Sequence, residues 1–322
     1  MDIYTQESVD AGVSVFLELD WGDGDYQVGY LAEEYRATAE EGLSCIGPGG
    51  LSIDNSGDLY LRDTMNYRYV KYSNDGEYVG ELAFSRIDGG GSMVAGPDCM
   101  YVVVSDDNRN YTLYRYCFEE DELITFPFRD YEKERDFSLG NMLCDSRGNL
   151  YLQGTDARRG IESPDIYYKI NPDLNKIIAS GELDKGFSAV GNSGEMYLID
   201  SIGNGSNKWA LMQLKPPDSL SKISIFPYEE TLGPPFLRQV SLDGGFFISY
   251  SEKPGDVICS LSKDGNLSGK IRISDTLFHT GLTISRNGDI FLLEERRGVE
   301  QESEREPFRI YKVEVDWDSL NE

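Results

Sequence analysis

Short apolar runs alternate with polar turns along most of the chain. Residues 49–76 read "GGLSIDNSGDLYLRDTMNYRYVKYSNDG", which is three strand-like segments separated by two turns. Each apolar run has the length of a strand and is too short for a helix. Gly57 lies between Asn55 and Asp58 in the first turn. Glycine is the residue type that a hairpin turn needs where φ is positive. The pattern predicts an antiparallel unit of short strands.

The same turn recurs along the chain. Clear copies read "DSRGNLYL" at 145–152, "GNSGEMYL" at 191–198, "SLDGGFFI" at 241–248 and "SRNGDIFL" at 285–292, and a degenerate copy occupies 94–103. The turn glycines are Gly57, Gly96, Gly148, Gly194, Gly244 and Gly288, separated by 39, 52, 46, 50 and 44 residues. A third strand and usually a weaker fourth follow each copy. These intervals are typical of four-stranded propeller blades.

Six such units predict an all-β fold, a six-bladed β-propeller of four-stranded antiparallel blades. A closed ring buries both faces of every blade against its neighbours, which no blade achieves alone. Two stacked β-sandwiches would also supply many short strands, but the regular glycine spacing favours the ring. We expect a single β-propeller domain over residues 1–322. Its blades are predicted near 46–84, 85–130, 137–183, 185–228, 236–274 and 277–317.

The ring must be closed by a strand from elsewhere in the chain. The last unit ends after its third strand, near Trp317, whereas strand-like segments precede the first unit. Residues 1–45 are therefore predicted to be a lead-in that contains the closing, or latch, strand. The segments 13–19 ("VSVFLEL") and 26–31 ("YQVGYL") both fit, and we favour 26–31.

Charge narrows the expected partners. The chain has 57 Asp and Glu against 30 Lys and Arg, a net charge of −27. Such a surface repels phosphate backbones and anionic lipids, so we expect neither nucleic-acid nor membrane partners. We expect a monomer that binds a protein or a small-molecule ligand.

The cysteines bear on compartment. There are five, Cys45, Cys99, Cys117, Cys144 and Cys259, with no CxxC or Cys/His spacing. The odd number and apolar surroundings predict buried free thiols, with neither a zinc site nor a disulfide framework. No signal peptide or transmembrane run is present in this sequence. We expect a cytoplasmic protein by default, or an extracytoplasmic one if a signal peptide has been removed.

The first unit resembles an NHL repeat over about 30 residues, 47–76. Asp63, Asn66 and Arg68 fall on the polar positions of that family's motif, and the other units lack this set. The resemblance implies that the set mostly braces its own loop, with Arg68 paired to Asp63 and Asn66 bound to turn amides. NHL-type propellers are scaffolds for protein or RNA binding, and a minority of similar rings are hydrolases or lyases.

The enzymatic alternatives have little support in the sequence. Lyases of this type use several His residues, and this chain has only His279. Lactonase-type rings hold a central Ca²⁺ with Glu, Asn and Asp, because hard oxygen ligands suit that ion. At the starts of the inner strands only Asn141 fits, with Asp136, Asp184 and Asp275 a few residues earlier. We expect a non-enzymatic binding scaffold without a cofactor; the alternative is a calcium-dependent hydrolase.

Partner binding is expected on one face of the ring. The loops joining second and third strands vary most, and they share a face with the starts of the inner strands. The candidate partner-binding residues are Arg62, Asp63, Asn66, Arg68, Arg109, Arg158, Arg159, Arg238, His279, Arg296 and Arg297. The arginine pairs could clamp a carboxylate or simply pair with neighbouring Glu. Phe187, Phe236 and Phe278 could line the channel mouth or plug it, and we favour plugging.

Overall fold

The computed structural model is a six-bladed β-propeller. The structure describes residues 9–29, 48–106, 110–128, 137–156, 164–202, 208–215, 219–227, 234–252, 255–274, 279–294, 307–317 and 319–321. The inner strands of neighbouring blades lie side by side, and that of the last blade returns beside that of the first. The predicted fold class is therefore confirmed.

The strands follow the predicted repeat. Three strands come before the first blade: β1 (Val9–Asp10), β2 (Gly12–Trp21) and β3 (Gln27–Val28). Blade 1 contains β4 (Gly50–Ile53), β5 (Leu59–Asp63), β6 (Arg68–Tyr72) and β7 (Tyr78–Ala83). Blade 2 contains β8 (Ser92–Ala95), β9 (Met100–Ser105), β10 (Tyr111–Cys117) and β11 (Glu122–Phe128). Blade 3 contains β12 (Phe137–Cys144), β13 (Leu150–Asp156), β14 (Asp165–Ile170) and β15 (Ile177–Leu183).

The second half of the ring repeats this order. Blade 4 contains β16 (Ala189–Val190), β17 (Met196–Ser201), β18 (Lys208–Lys215) and β19 (Ser219–Pro227). Blade 5 contains β20 (Phe236–Val240), β21 (Phe246–Glu252), β22 (Gly255–Leu261) and β23 (Leu267–Ser274). Blade 6 contains β24 (His279–Ile284), β25 (Ile290–Glu294) and β26 (Phe308–Glu314), with β2 as its fourth strand.

The hydrophobic core is divided into layers between neighbouring blades. Successive side chains of a strand point to opposite faces, so β5 supplies two layers at once. Leu59 and Leu61 pack towards blade 6, whereas Tyr60 packs towards blade 2. All three side chains are fully buried. This two-sided burial explains why the strand reads "LYL" rather than alternating with polar residues.

The strand β2 closes the ring. It pairs antiparallel with β26 over its length, and Leu17 and Leu19 enter the layer between blades 6 and 1. The prediction of an N-terminal closing strand is confirmed, but our preference for 26–31 was wrong. In the described part of that segment, residues 26–29, Gln27–Val28 form a short strand that pairs parallel beside Trp21. The 13–19 segment closes the ring instead, because it is long enough to span the blade and supplies two buried leucines.

One cysteine pair corrects the sequence prediction. Cys99 and Cys117 form a disulfide, with Cα atoms 4.4 Å apart. The cause is register: Met100 faces Tyr116 in the β9–β10 pair, so the next residues outward, Cys99 and Cys117, meet. Cys144 and Cys259 are free, and Cys45 lies outside the described residues. The inference of a reducing compartment from unpaired thiols loses its basis.

Helical structure among the described residues is confined to single short turns such as Phe84–Arg86. In that part of the chain, no helix has the length and apolar character required to span a membrane.

Candidate functional site in the axial channel

The two faces of the ring differ in how the chain crosses them. The turn face carries the turns between first and second strands, at 54–58, 96–99, 145–149, 191–195, 241–245 and 285–289. The loop face carries the starts of the inner strands and the connections between second and third strands, such as 64–67. Between the faces the inner strands enclose an axial cavity of about 250 Å³. Two arginines line this cavity, Arg238 and Arg286.

Arg286 closes the cavity at the turn face. Its guanidinium donates to the carbonyl oxygens of Cys144 (2.8 Å), Val190 (3.0 Å) and Val240 (3.3 Å). A fourth bond reaches Asn192 Oδ1 at 2.9 Å. Burial lowers the pKa of Arg286 from its ordinary value, and nearby acidic groups such as Asp145 oppose that shift. This single side chain therefore joins the inner strands of blades 3, 4 and 5.

Hydrogen bonds near this face also join every pair of neighbouring blades. Their lengths are between 2.8 and 3.1 Å. The six pairs are Ala95 N to Ser52 Oγ, Tyr101 Oη to Gly148 O, Ser146 Oγ to Asn192 O, Asn192 Nδ2 to Ser241 O, Leu242 N to Arg286 O and Asn287 Nδ2 to Asn55 O. We call this set the hydrogen-bond belt. It makes the turn face a structural surface.

The repeated turn carries a second feature that sequence reasoning missed. In blade 1, Asp54 accepts the amide protons of Ser56 and Asp58 and the hydroxyl proton of Tyr60, and burial raises its pKa. The ring of Tyr60 lies under Lys71 Nζ, 5.4 Å from its centroid. Blade 3 repeats the arrangement with Asp145, Tyr151 and Lys169. The Asp and Tyr at fixed spacing in "DNSGDLY" and "DSRGNLY" were the available signal.

Arg238 lies at a β-bulge on the other side of the cavity. The β20–β21 register shifts between Leu237 and Gln239, so Arg238 is the extra residue of the bulge. Bulges commonly re-aim a side chain. Arg238 Nε donates to Ser249 Oγ at 2.6 Å, and the guanidinium stacks on the Phe236 ring, 5.4 Å from its centroid. The side chain is exposed and forms part of the cavity wall. Partial desolvation by the surrounding protein lowers the pKa of Arg238.

The calcium candidates do not converge within the described residues. Asn141 is exposed and its Oδ1 accepts the Met142 amide proton at 2.9 Å. Asp184 is also exposed. In the described part of the chain no group of three or more His, Cys, Asp or Glu is arranged to hold a metal ion. Asp136 and Asp275 lie outside the described residues, so their predicted role stays a prediction.

The NHL-like set of blade 1 clamps the chain segment that follows the closing strand. Arg68 Nε pairs with Asp63 at 3.1 Å, as predicted, and Arg68 Nη1 pairs with Glu81 at 2.6 Å. The remaining donors of Arg68 bind the backbone carbonyls of Asp23, Gly24 and Gln27 at 2.8 to 2.9 Å. Asp63 and Arg68 are buried. The set therefore braces residues 22–29 as well as its own loop.

Asn66 differs from its predicted role. Its Nδ2 donates to the Gly22 carbonyl oxygen at 2.6 Å and to Asp63 Oδ2 at 2.8 Å, rather than its side chain satisfying turn amides. The turn amide of Asn66 itself is bound by Asp63 Oδ1, which also accepts the Gly29 amide proton at 3.0 Å. The reason is that the added segment 22–29 presents free carbonyls directly opposite the loop. We call Asp63, Asn66 and Arg68 the latch clamp.

The other candidate residues divide into described and undescribed ones. Arg62 is half-buried beside the Tyr69 hydroxyl, and its Nε has no hydrogen-bond partner among the described residues. His279 begins β24, where only its backbone is described. Five candidates lie outside the described residues: Arg109, Arg158, Arg159, Arg296 and Arg297. Their predicted contact with a partner stays a prediction.

The loop face also presents exposed aromatic side chains. Tyr67 is 71% exposed at a positive φ of 53°, and Phe236 is 53% exposed. A residue other than glycine at such a φ is uncommon and holds its side chain at some conformational cost. Phe187, by contrast, is buried against Tyr151 and Tyr167 within the layer between blades 3 and 4. Phe278 lies outside the described residues.

These features define a six-bladed β-propeller whose axial cavity is sealed at the turn face by an arginine. No protein-family model matches the chain, and no curated protein matches it. Solved structures of similar architecture are distant in sequence, so the likeness concerns the fold alone.

Three of these structures illustrate the range. A luciferin-regenerating enzyme is 14% identical, with 83% of this chain and 90% of that one aligned and a TM-score of 0.47. A protein with a provisional gluconolactonase assignment is 14% identical, with 83% and 88% aligned and a TM-score of 0.49. Virginiamycin B lyase from Staphylococcus aureus is 12% identical, with 84% and 95% aligned and a TM-score of 0.46.

Proposed function

We propose that this protein is a non-enzymatic binding scaffold of the NHL-like propeller type, with its partner bound on the loop face. The observation that carries the proposal is the exposure of two large aromatic side chains, Tyr67 and Phe236, on that face. Aromatic and arginine side chains are enriched where binding energy concentrates, and Arg238 lies beside Phe236.

The contrast with the turn face supports the same assignment. There the polar groups are used in the hydrogen-bond belt, and Arg286 is bonded on four sides. A partner on that face would have to compete with bonds that hold the ring together. On the loop face, Tyr67 and Phe236 are exposed and take no part in the latch clamp, and loops on a rigid scaffold are where binding residues concentrate.

The alternative is a calcium-dependent hydrolase. Ca²⁺ takes six to eight oxygen ligands. Among the described residues at the channel mouth, Asn141 is the one oxygen donor in the expected position. The donor set therefore gives this alternative weaker support than the scaffold.

The test compares one face with the other. Immobilised protein is exposed to an extract of its source cells, the retained proteins are identified, and each is purified and its affinity measured. We expect Tyr67→Ala and Phe236→Ala to weaken binding at least about tenfold, the effect of losing a hot-spot side chain. Leu242→Ala is the matched control, because Leu242 is an apolar residue of the turn face that is 48% exposed, close to the 53% of Phe236; this variant should bind normally.

The outcomes separate the two functions. If every purified partner binds both loop-face variants as well as the unsubstituted protein, the loop-face scaffold is wrong. A panel of lactones and esters is assayed with and without Ca²⁺ in parallel. Calcium-dependent turnover that is lost in Asn141→Ala would establish the hydrolase instead.

A further inference from the structure

Arg238 is under-used as a hydrogen-bond donor. A guanidinium has five N–H donors, and Arg286 in the same cavity bonds four acceptors. Arg238 makes one hydrogen bond, from Nε to Ser249, and within the described residues its two Nη groups have no partner. A guanidinium on the wall of a cavity with two open donor groups is suited to receive an acceptor from outside the chain.

No carboxylate of the described chain neutralises Arg238. The negative charge of Asp256 favours the charged form of Arg238. The Asp256 carboxylate accepts the Ser251 hydroxyl proton, however, and forms no ion pair with Arg238. Asp145, which lines the same cavity, is held by turn amides and by Lys169 at 3.6 Å. Among the described residues, the charge of Arg238 is therefore not compensated by a direct ion pair.

The geometry of the free donors selects the ligand's head group. The planar fork of a guanidinium matches the two oxygens of a carboxylate in a bidentate contact. With Nε held by Ser249, the two Nη groups form the remaining fork. The charged residues of the cavity wall are Arg238, Arg286 and Asp145. Two positive charges and one negative charge give a net charge of +1, so a monoanion suits the cavity better than a phosphate dianion.

The cavity wall selects the rest of the ligand. Polar and apolar side chains both line the cavity, and polar groups make up most of its exposed wall. The apolar ones include Val94, Leu143, Ala189 and Leu282, and the polar ones include Ser52, Gln239 and Thr283. A volume of about 250 Å³ fits a small organic molecule. The wall suits a small organic body that carries polar as well as apolar groups.

We propose that the axial cavity binds a small organic monocarboxylate, with its carboxylate held by the Nη groups of Arg238 and the rest of the molecule within the channel. This inference adds a small-molecule ligand to the proposed function. It rests on the proposed function in one respect, that the protein binds a ligand without converting it. It predicts a ligand site separate from Tyr67, so either proposal can fail without the other.

The experiment uses benzoate as the probe and benzamide, its neutral counterpart of the same shape, as the matched ligand. Affinities are measured by calorimetry on the full chain at pH 7. We expect benzoate to bind with a Kd of about 1 mM or tighter and benzamide at least tenfold more weakly, as expected for loss of a charged hydrogen-bonded pair. Arg238→Gln should weaken benzoate about tenfold or more, and Arg238→Lys by an intermediate factor because the fork is lost.

Arg86→Gln is the matched protein control. Arg86 is an exposed arginine paired with Asp121 at 2.7 Å, and its loss changes the net charge by the same amount. It should leave benzoate binding unchanged, and circular dichroism checks that each variant is folded. Equal binding of benzoate by Arg238→Gln and the unsubstituted protein would overturn the proposal, as would equal affinity for benzoate and benzamide.

A further arm distinguishes the anion class. Inorganic phosphate and sulfate are titrated in place of benzoate. If either ion binds more tightly than benzoate, and Arg238→Gln weakens that binding, the cavity is a phosphate or sulfate site and the carboxylate assignment is wrong. Tyr67→Ala should bind benzoate normally, so failure of the loop-face scaffold shows in the partner assay alone.

Discussion

Arg286 and Arg238 occupy the same channel in opposite circumstances. Arg286 lies at the turn face, buried, and donates to three backbone carbonyls and an amide oxygen. Arg238 lies at a bulge, accessible from the channel, with one hydrogen bond to Ser249. The same side chain thus serves the ring in one place and is available to a ligand in the other. The difference is set by how many acceptors the fold brings within reach.

The largest effect is expected from removing the bonded arginine. Arg286→Met leaves three inner-strand carbonyls without their donor, and each buried group left unsatisfied is costly. We expect the free energy of unfolding to fall by about 4 kcal/mol, in the range seen when one partner of a buried charged network is removed. Urea denaturation measures it. A loss below about 1 kcal/mol would show that the carbonyls find water or other donors.

The latch clamp should rank next. Arg68→Met leaves the fully buried Asp63 carboxylate without its ion pair and the carbonyl oxygens of Asp23, Gly24 and Gln27 without their donor. We expect a loss of about 3 kcal/mol in the free energy of unfolding and faster proteolysis within residues 22–29. Arg86→Met, at an exposed ion pair, is the control and should cost less than about 1 kcal/mol. Unchanged proteolysis would mean that the strand pairing of β2 alone holds the segment.

Alkaline pH should act through the turn face. Burial raises the pKa values of Tyr60 and Tyr151 far above the ordinary value. The unfolded chain loses these protons near pH 10 while the folded chain keeps them, so stability is retained below pH 9 and falls above pH 10. At pH 11 each tyrosine should cost about 1.4 kcal/mol.

Substitution isolates this pH dependence. Tyr60→Phe should lower the free energy of unfolding by about 1 kcal/mol at pH 7, because the hydrogen bond to Asp54 is lost. It should also reduce the decline between pH 9 and pH 11, measured by urea denaturation at each pH. Tyr67→Phe, on the loop face, is the control. An identical decline in Tyr60→Phe and the unsubstituted protein would contradict the assignment.

The smallest effect is expected at the open arginine. Arg238→Gln removes one hydrogen bond and a stacking contact, so the free energy of unfolding should change by less than about 1 kcal/mol. The same urea series measures it beside Arg286→Met. If the two variants lose similar amounts of free energy of unfolding, Arg238 is as structural as Arg286 and is not available to a ligand.

The repeat made the architecture predictable, because hairpin glycines and buried strands are local features. The antiparallel blades and their number follow from Gly57 and its counterparts, all of which except Gly96 have a positive φ in the structure. What could not be read locally depends on pairing between distant strands. Cys99 meets Cys117 only through the β9–β10 register, and β2 is chosen over 26–31 only by its fit against β26.

The channel shows the same division. Arg238 was among the predicted candidates because it begins an inner strand, but its bulge and its bond to Ser249 depend on tertiary structure. Arg286 was missed, although aligning the clear turn copies places it where Asn55, Ser146, Asn192 and Leu242 stand. A lone cation at a position otherwise held by neutral residues was a usable signal. Its acceptors come from three other blades and could not be inferred from one turn.

Closure by β2 has a consequence for biosynthesis. Ser14 Oγ donates to Glu314 Oε1, a partner 300 positions later in the chain. The nascent chain therefore carries Leu17 and Leu19 uncovered while the ribosome makes nearly all of the remaining strands. Such distant pairing slows folding and leaves apolar surface open to association during synthesis. A strand that leaves the ribosome before all six blades is thus among the last to reach its native position.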